Sequence, residues 1–210
     1  MHLYFHPLST YSQKTIIAFH EKATKFTPEV VQTMDPAALA AYKKIYPLGK
    51  IPLLVDADRT IPESSIIIEY LDQRVPGGPR LIPADADVGR RVRFHDRMFD
   101  LYLNNPCATI FFDSLKPEAH RDAAAVAKAR ETIDTIYAYL DDHLAKNTFA
   151  VGDTFSMADC AAAAPLGYLR RLHPFASRPR VSAYWNRLSE RPSVVRVLED
   201  AKPYLAKMAG

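Results

Sequence analysis

Residues 46–56 read Tyr-Pro-Leu-Gly-Lys-Ile-Pro-Leu-Leu-Val-Asp, a turn signal that runs directly into an apolar, β-type stretch. Leu53-Leu54-Val55 is the strand this predicts, and Asp56-Ala57-Asp58 turns the chain into a short second strand ending at Ile61. Working forward, residues 63–73 have helical spacing, with Ile66, Ile67, Tyr70 and Leu71 as the expected buried side. Working backward, residues 37–45 form an Ala- and Leu-rich helix and residues 26–31 a strand. Residues 13–22 form a helix with Ile16, Ile17 and Phe19, and residues 2–5 a strand that stops before Pro7. The order is βαβ, helix, ββ hairpin, helix: a small α/β unit.

Val75-Pro76-Gly77-Gly78-Pro79-Arg80 interrupts this pattern and is the clearest linker in the chain. No strand pattern follows it. Val88, Val92, Phe99 and Leu103 mark one long helix, and Ile133, Ile136, Tyr137, Leu140 and Leu144 mark another. Residues 157–169, 180–190 and 194–201 predict three more. The second half is all-α, which sets expected domains at 1–76 and 85–210 with a linker at 77–84.

Composition narrows the function classes. With 48% hydrophobic and 24% charged residues, the 210-residue chain is of the ordinary globular kind. A net charge of +3, with both signs evenly mixed, gives no nucleic-acid footprint. Cys107 and Cys160 are the two cysteines and have neither disulfide-framework nor metal-site spacing, so a reducing compartment is expected. MHLYFHPLST has no signal-peptide pattern, and no apolar run is long enough to span a membrane. A cytoplasmic protein with no membrane or nucleic-acid partner is the expectation. His2 and His6 lack a third clustered ligand, so no metal site is expected.

Five segments in this order, HPLSTYSQK (6–14), PLGKIPLLVD (47–56), PESSIIIEYL (62–71), TFSMAD (154–159) and ERPSVVRVL (190–198), resemble the glutathione transferase superfamily along essentially the whole chain. Within it the chain resembles the serine-type, theta- and phi-like bacterial cytosolic branch. The resemblance implies a thioredoxin-like N-terminal domain that binds glutathione and an all-α C-terminal domain that receives the second substrate. Glutathione is then a co-substrate, no cofactor is called for, and a homodimer with a role in detoxification is expected.

Several residues acquire roles this way. An X–Pro bond is ordinarily trans, but the resemblance implies a cis Ile51-Pro52 whose Ile51 backbone pairs with the cysteinyl backbone of glutathione. A serine at a helix start is commonly only a cap. The resemblance instead gives Ser64 the γ-glutamyl carboxylate and Glu63 the ammonium group, with Ser65 able to stand in as the cap. Lys50 would meet the glycyl carboxylate, a task Lys43 or Lys44 could share.

The thiolate is the nucleophile, and a free thiol titrates at about 8.5, so the protein gains by stabilising the anion. A hydroxyl aimed at sulfur, or a helix N-terminus, does this. Ser9 matches the activating serine, Ser12 is the runner-up, and Tyr4 and Tyr11 are weaker. Ser156-Met157-Ala158-Asp159 has the form of a capping box, which assigns Asp159 to folding. Candidates for the electrophile pocket are Tyr11, Phe99, Tyr102, Leu103 and Phe111, with Pro106 and Tyr168 behind them. Asp96 or Asp100 is a candidate for reaching the glutathione ammonium across a dimer.

Conjugation of a hydrophobic electrophile is the leading reading. Glutathione-dependent isomerisation, dehalogenation or peroxide reduction would use the same thiolate. A non-catalytic, partner-binding module of the same fold is the alternative from another class.

Overall fold

The computed structural model describes residues 1–209, with side chains through Lys207. Four short strands, β1 (His2–Phe5), β2 (Thr27–Val30), β3 (Leu53–Asp56) and β4 (Arg59–Pro62), form one sheet in the order β2-β1-β3-β4. β1 runs parallel to β2, which is joined to it through helix α1 (Thr10–Glu21), and antiparallel to β3. β3 and β4 form the hairpin, with Ala57 in a left-handed turn at φ 54°.

Alternation along β1 decides its two sides. Leu3 and Phe5 are buried, while Tyr4 packs against a separate cluster of Val31, Leu53 and Tyr42. Tyr42 comes from helix α2 (Pro36–Lys43), which Asp35 caps by accepting from the Ala37 and Ala38 N–H groups. Helix α3 (Ser64–Arg74) packs beside α1 and buries Ile67, Ile68 and Leu71. The helical period therefore turns Ile66 outward, contrary to the expected stripe, and its place is taken by Ile68.

A buried ion pair closes this unit. Lys22 Nζ donates to Asp72 Oδ1 at 3.1 Å and to the Pro79 carbonyl at 3.2 Å, and Asp72 Oδ1 also accepts the Leu81 N–H. The charges thus have several partners each, as burial requires.

The chain divides into two compact units, 1–81 with 192–210, and 82–191. This departs from the expected domain ends. The last helix, α9 (Pro192–Ala209), packs along α1 and belongs with the sheet, not with the helical unit. Its amphipathic pattern announces that one face is buried, but not against which partner.

The second unit holds α4 (Ala86–Phe99), α5 (Asn105–Ser114), α6 (Ala123–His143), α7 (Met157–Leu172) and α8 (Pro179–Ser189). Between α4 and α5 the chain widens into a π-helical turn, Asp100–Asn104, where the Asn105 N–H donates to the Asp100 carbonyl. Pro106 accounts for it. Its ring would press on the Tyr102 carbonyl of a regular helix, and the wider turn relieves that contact. Cys107 and Cys160 are both buried and unbridged, and burial pushes the Cys107 thiol up to about 12. Neither is placed to act as a nucleophile.

Candidate functional site

The β1–α1 loop presents the hydroxyls. Ser9 is the N-cap of α1, and its Oγ accepts the Ser12 N–H at 3.3 Å. Accepting leaves the Ser9 proton available for donation, and the side chain is half-exposed. Ser12 differs. It is fully buried, and its Oγ accepts the His6 N–H at 3.4 Å. The loop is braced further by Gln13 Nε2 donating to the Pro7 carbonyl at 2.8 Å. His6 Nδ1 accepts the Leu8 N–H at 3.2 Å, which requires that nitrogen to be unprotonated. Burial holds His6 below its ordinary value, against an opposing hydrogen bond with Gln32, so the neutral ring suits the loop. Tyr4 and Tyr11 are half-buried, and the Tyr11 carbonyl accepts the Thr15 hydroxyl.

The Ile51-Pro52 bond is cis, as the resemblance implied. The turn before it depends on Gly49 at φ 64°, where a Cβ would lie 2.9 Å from Lys43 Cε and 3.2 Å from Leu39 Cδ1. Any side chain there meets both a disfavoured backbone region and a crowded helix. Lys43 lies along the turn and, like Lys44 and Lys50, is exposed.

Sequence reasoning missed Tyr42. Its hydroxyl donates to the Lys50 carbonyl at 2.7 Å, tying α2 to the residue just before Ile51. Burial, with Tyr46 and Tyr4 nearby, pushes this phenol upward, so it stays a donor at all ordinary pH. Tyr42→Phe keeps the packing and frees the Lys50 carbonyl. The expected result is a rise of about fivefold in KM for glutathione with kcat within about twofold. An unchanged KM would show that the turn holds its geometry without this bond.

Glu63 stands at the start of α3 with φ 70° and ψ 123°, a left-handed conformation costly for a residue with a side chain. It makes no side-chain cap to the helix, and Ser64, the first helical residue, is buried beside it. An 11-residue helix thus begins with N–H groups that no capping side chain covers, an arrangement suited to a carboxylate. Lys14, fully buried one turn into α1, donates from Nζ to Ser65 Oγ at 2.8 Å and so links the two helix starts.

The helical unit corrects part of the electrophile set. Phe99 and Leu103 are completely buried and are core residues, so neither offers surface to a ligand. Helical spacing marks an apolar face, and here that face packs into the core. Tyr102, by contrast, is 51% exposed. Phe111 is half-buried and meets Phe112 and Tyr168 edge-on, with ring centres 5.4 and 5.5 Å away. Asp96 and Asp100 are buried rather than solvated. Among the described residues no group of three metal-ligating side chains occurs.

Comparison with known proteins agrees with this geometry. The family model for the glutathione S-transferase N-terminal domain matches residues 3–79, and that for the C-terminal domain matches residues 103–192. Glutathione S-transferase A of Pleuronectes platessa is 32% identical over 154 residues, covering 70% of this chain and 68% of that protein. Glutathione S-transferase 3 of Zea mays is 29% identical over 200 residues, covering 91% and 90%. A glutathione S-transferase from Methylobacillus flagellatus, solved with GSH bound, superimposes with a TM-score of 0.83 at 28% identity, covering 93% of this chain and 97% of that one. The chain belongs to the glutathione S-transferase family, with a thioredoxin-like N-terminal unit and a helical second unit. Among the described residues no helix is long and apolar enough to cross a membrane.

Proposed function

We propose that the protein is a glutathione transferase in which the Ser9 hydroxyl stabilises the glutathione thiolate for attack on a hydrophobic electrophile. The observation that carries this is the contrast within one loop. Both hydroxyl oxygens accept a backbone N–H, but Ser9 is only half-buried and can reach a ligand, whereas Ser12 is fully buried. The γ-glutamyl end is held at the start of α3 by Ser64, with Glu63 towards the ammonium, and the cysteinyl backbone pairs with Ile51 before Pro52. Lys50 meets the glycyl carboxylate. Tyr102, Phe111 and Tyr11 are the remaining candidates for contact with the electrophile. The reading includes a homodimer, for which exposed Phe94, Leu101 and Tyr102 supply apolar surface.

Titration of the protein–glutathione complex, followed by thiolate absorbance, tests this reading. The thiolate should appear at least about one pH unit below the free value near 8.5, together with turnover of an aromatic halide. No binding of glutathione would reject the reading and favour a partner-binding module.

A further inference from the structure

His6, the residue that follows β1, holds the Ser9 loop at three points. Its carbonyl accepts the Ser9 N–H at 3.0 Å, its own N–H donates to Ser12 Oγ at 3.4 Å, and its Nδ1 accepts the Leu8 N–H at 3.2 Å. Any residue but proline would supply the first two bonds. Only the third depends on the side chain. It runs from one residue to the second after it, across Pro7, which is the pattern of an Asx turn made with an imidazole. The lone pair of Nδ1 is committed to Leu8, so the ring's one proton sits on Nε2, which is left for the Gln32 side chain.

A second proton would undo this arrangement. An imidazolium donates from both nitrogens, so Nδ1–H and the Leu8 N–H would face each other at a distance that suits only a donor and an acceptor. Either the ring or the Leu8 peptide must then turn, and Ser9 is the next residue along. The surroundings do little to hold a charge on the ring. Tyr204 of α9 meets it edge-on with ring centres 5.4 Å apart, the Lys207 ammonium lies 5.9 Å from the Tyr204 ring centre, and Ser12 and Gln32 are neutral. Among the described residues no carboxylate forms an ion pair with His6. Burial accordingly keeps its titration below the ordinary value of about 6.5.

We propose that His6 is a positioning residue for thiolate formation: its neutral imidazole fixes the Leu8 peptide and thereby the Ser9 hydroxyl, and its protonation releases the loop and switches the site off in acid. The inference rests on the role proposed for Ser9 above. His6 itself touches no reacting atom and acts through the loop alone. The device works in one direction. Above a pH of about 6.5 the ring is neutral and the loop is set; as pH falls through the lowered titration of His6, the loop and its share of stability are lost.

Steady-state turnover against pH, in wild type and three variants, tests this. At neutral pH, His6→Leu keeps the backbone bonds but loses the acceptor. It should lower kcat about tenfold while KM for glutathione stays within about threefold. His6→Asn should restore most of that turnover, because its Oδ1 can accept the Leu8 N–H in a true Asx turn ahead of Pro7 and does not titrate. In saturating glutathione, wild-type log kcat should fall with a slope of about one through the thiol and steepen towards about two below a pH of about 6.5. His6→Asn should keep a slope of about one throughout. Ser9→Ala combined with His6→Leu should be no worse than Ser9→Ala alone, because the two act through one hydroxyl. Wild-type turnover in His6→Leu, an asparagine variant as poor as leucine, identical acid limbs or additive losses would each overturn the proposal. The protein without glutathione separates this from the reading of the site. Its Leu8 and Ser9 amide resonances should follow an imidazole titration below a pH of about 6.5 in wild type and stay flat in His6→Asn. A wild type that binds no glutathione would reject the reading of the site, and the same amides would still decide whether His6 sets the loop. Flat amides in wild type would overturn the role given to His6.

Discussion

Ser9→Ala should lower kcat/KM for conjugation about a hundredfold, the usual scale for losing one donor to a developing or stabilised anion. The thiol of bound glutathione should return towards its free value of about 8.5. The reason lies in the hydrogen-bond pattern. Ser9 Oγ receives the Ser12 N–H, which leaves its own proton free to be donated. The N-terminus of α1 adds a partial positive charge that Ser9 alone cannot supply. The substitution also removes a helix cap, worth about 1 kcal/mol, and that loss needs separating from chemistry. Ser9→Asp separates them, because it retains the cap but offers no proton at neutral pH and brings a repelling charge. It should be as inactive as alanine while melting near wild type. Ser12→Ala should cost mainly stability. A larger catalytic loss there than in Ser9→Ala, or full turnover of Ser9→Ala with an unchanged titration, would move the role away from Ser9.

The largest loss of stability should come from Asp159→Ala, at about 4 kcal/mol. Asp159 is completely buried and receives four donors. Oδ1 takes the Ala150 N–H at 2.8 Å and the Tyr184 hydroxyl at 2.6 Å, while Oδ2 takes the Ser156 N–H at 2.8 Å and its hydroxyl at 2.9 Å. Burial pushes this carboxyl up and the four donors pull it back. Alanine would strand all four, including the capping box at the start of α7. Asp159→Asn keeps one acceptor oxygen and should cost about half as much. Tyr184→Phe removes a single donor and should cost about 1 kcal/mol. The only tryptophan, Trp185, sits next to Tyr184 on α8, so its fluorescence in urea reports this unit directly. An Asp159→Ala midpoint close to wild type would mean that the network carries little of the stability.

The parts of the molecule legible in the sequence are those whose physics is local. A turn such as Pro47-Leu48-Gly49 bends the chain wherever it occurs, and Ser156 with Asp159 three residues later caps a helix by itself. Family resemblance supplied what local physics could not, the cis form of Ile51-Pro52. Contacts made across the fold left no such mark. Tyr42 looks like any aromatic in an Ala-rich helix, and nothing in the spacing says that its hydroxyl meets the Lys50 carbonyl. Phe99 and Leu103 show the same limit from the other side. Periodicity says that a face is apolar, and only packing decides whether that face meets a core or a ligand. Pro106 marks where the turn widens, but Pro165 lies inside α7 without such a turn, so a proline in a helical pattern does not by itself predict one.

α9 is synthesised last, yet it packs with the first unit. Translation delivers residues 1–81 first, then the entire helical unit, and only afterwards the segment that lies along α1. On the ribosome, Ile16 and its neighbours on α1 must wait with part of their final cover missing, even after a whole second body has had time to form. The Ser193 hydroxyl, which donates to Glu21 across 172 positions of sequence, is among the last contacts to be made. Such long-range closure is slow to nucleate. A fragment ending at residue 81 should accordingly be a poor stand-in for the glutathione-binding half. A circular permutant that places α9 ahead of β1 would let that half complete itself as it emerges.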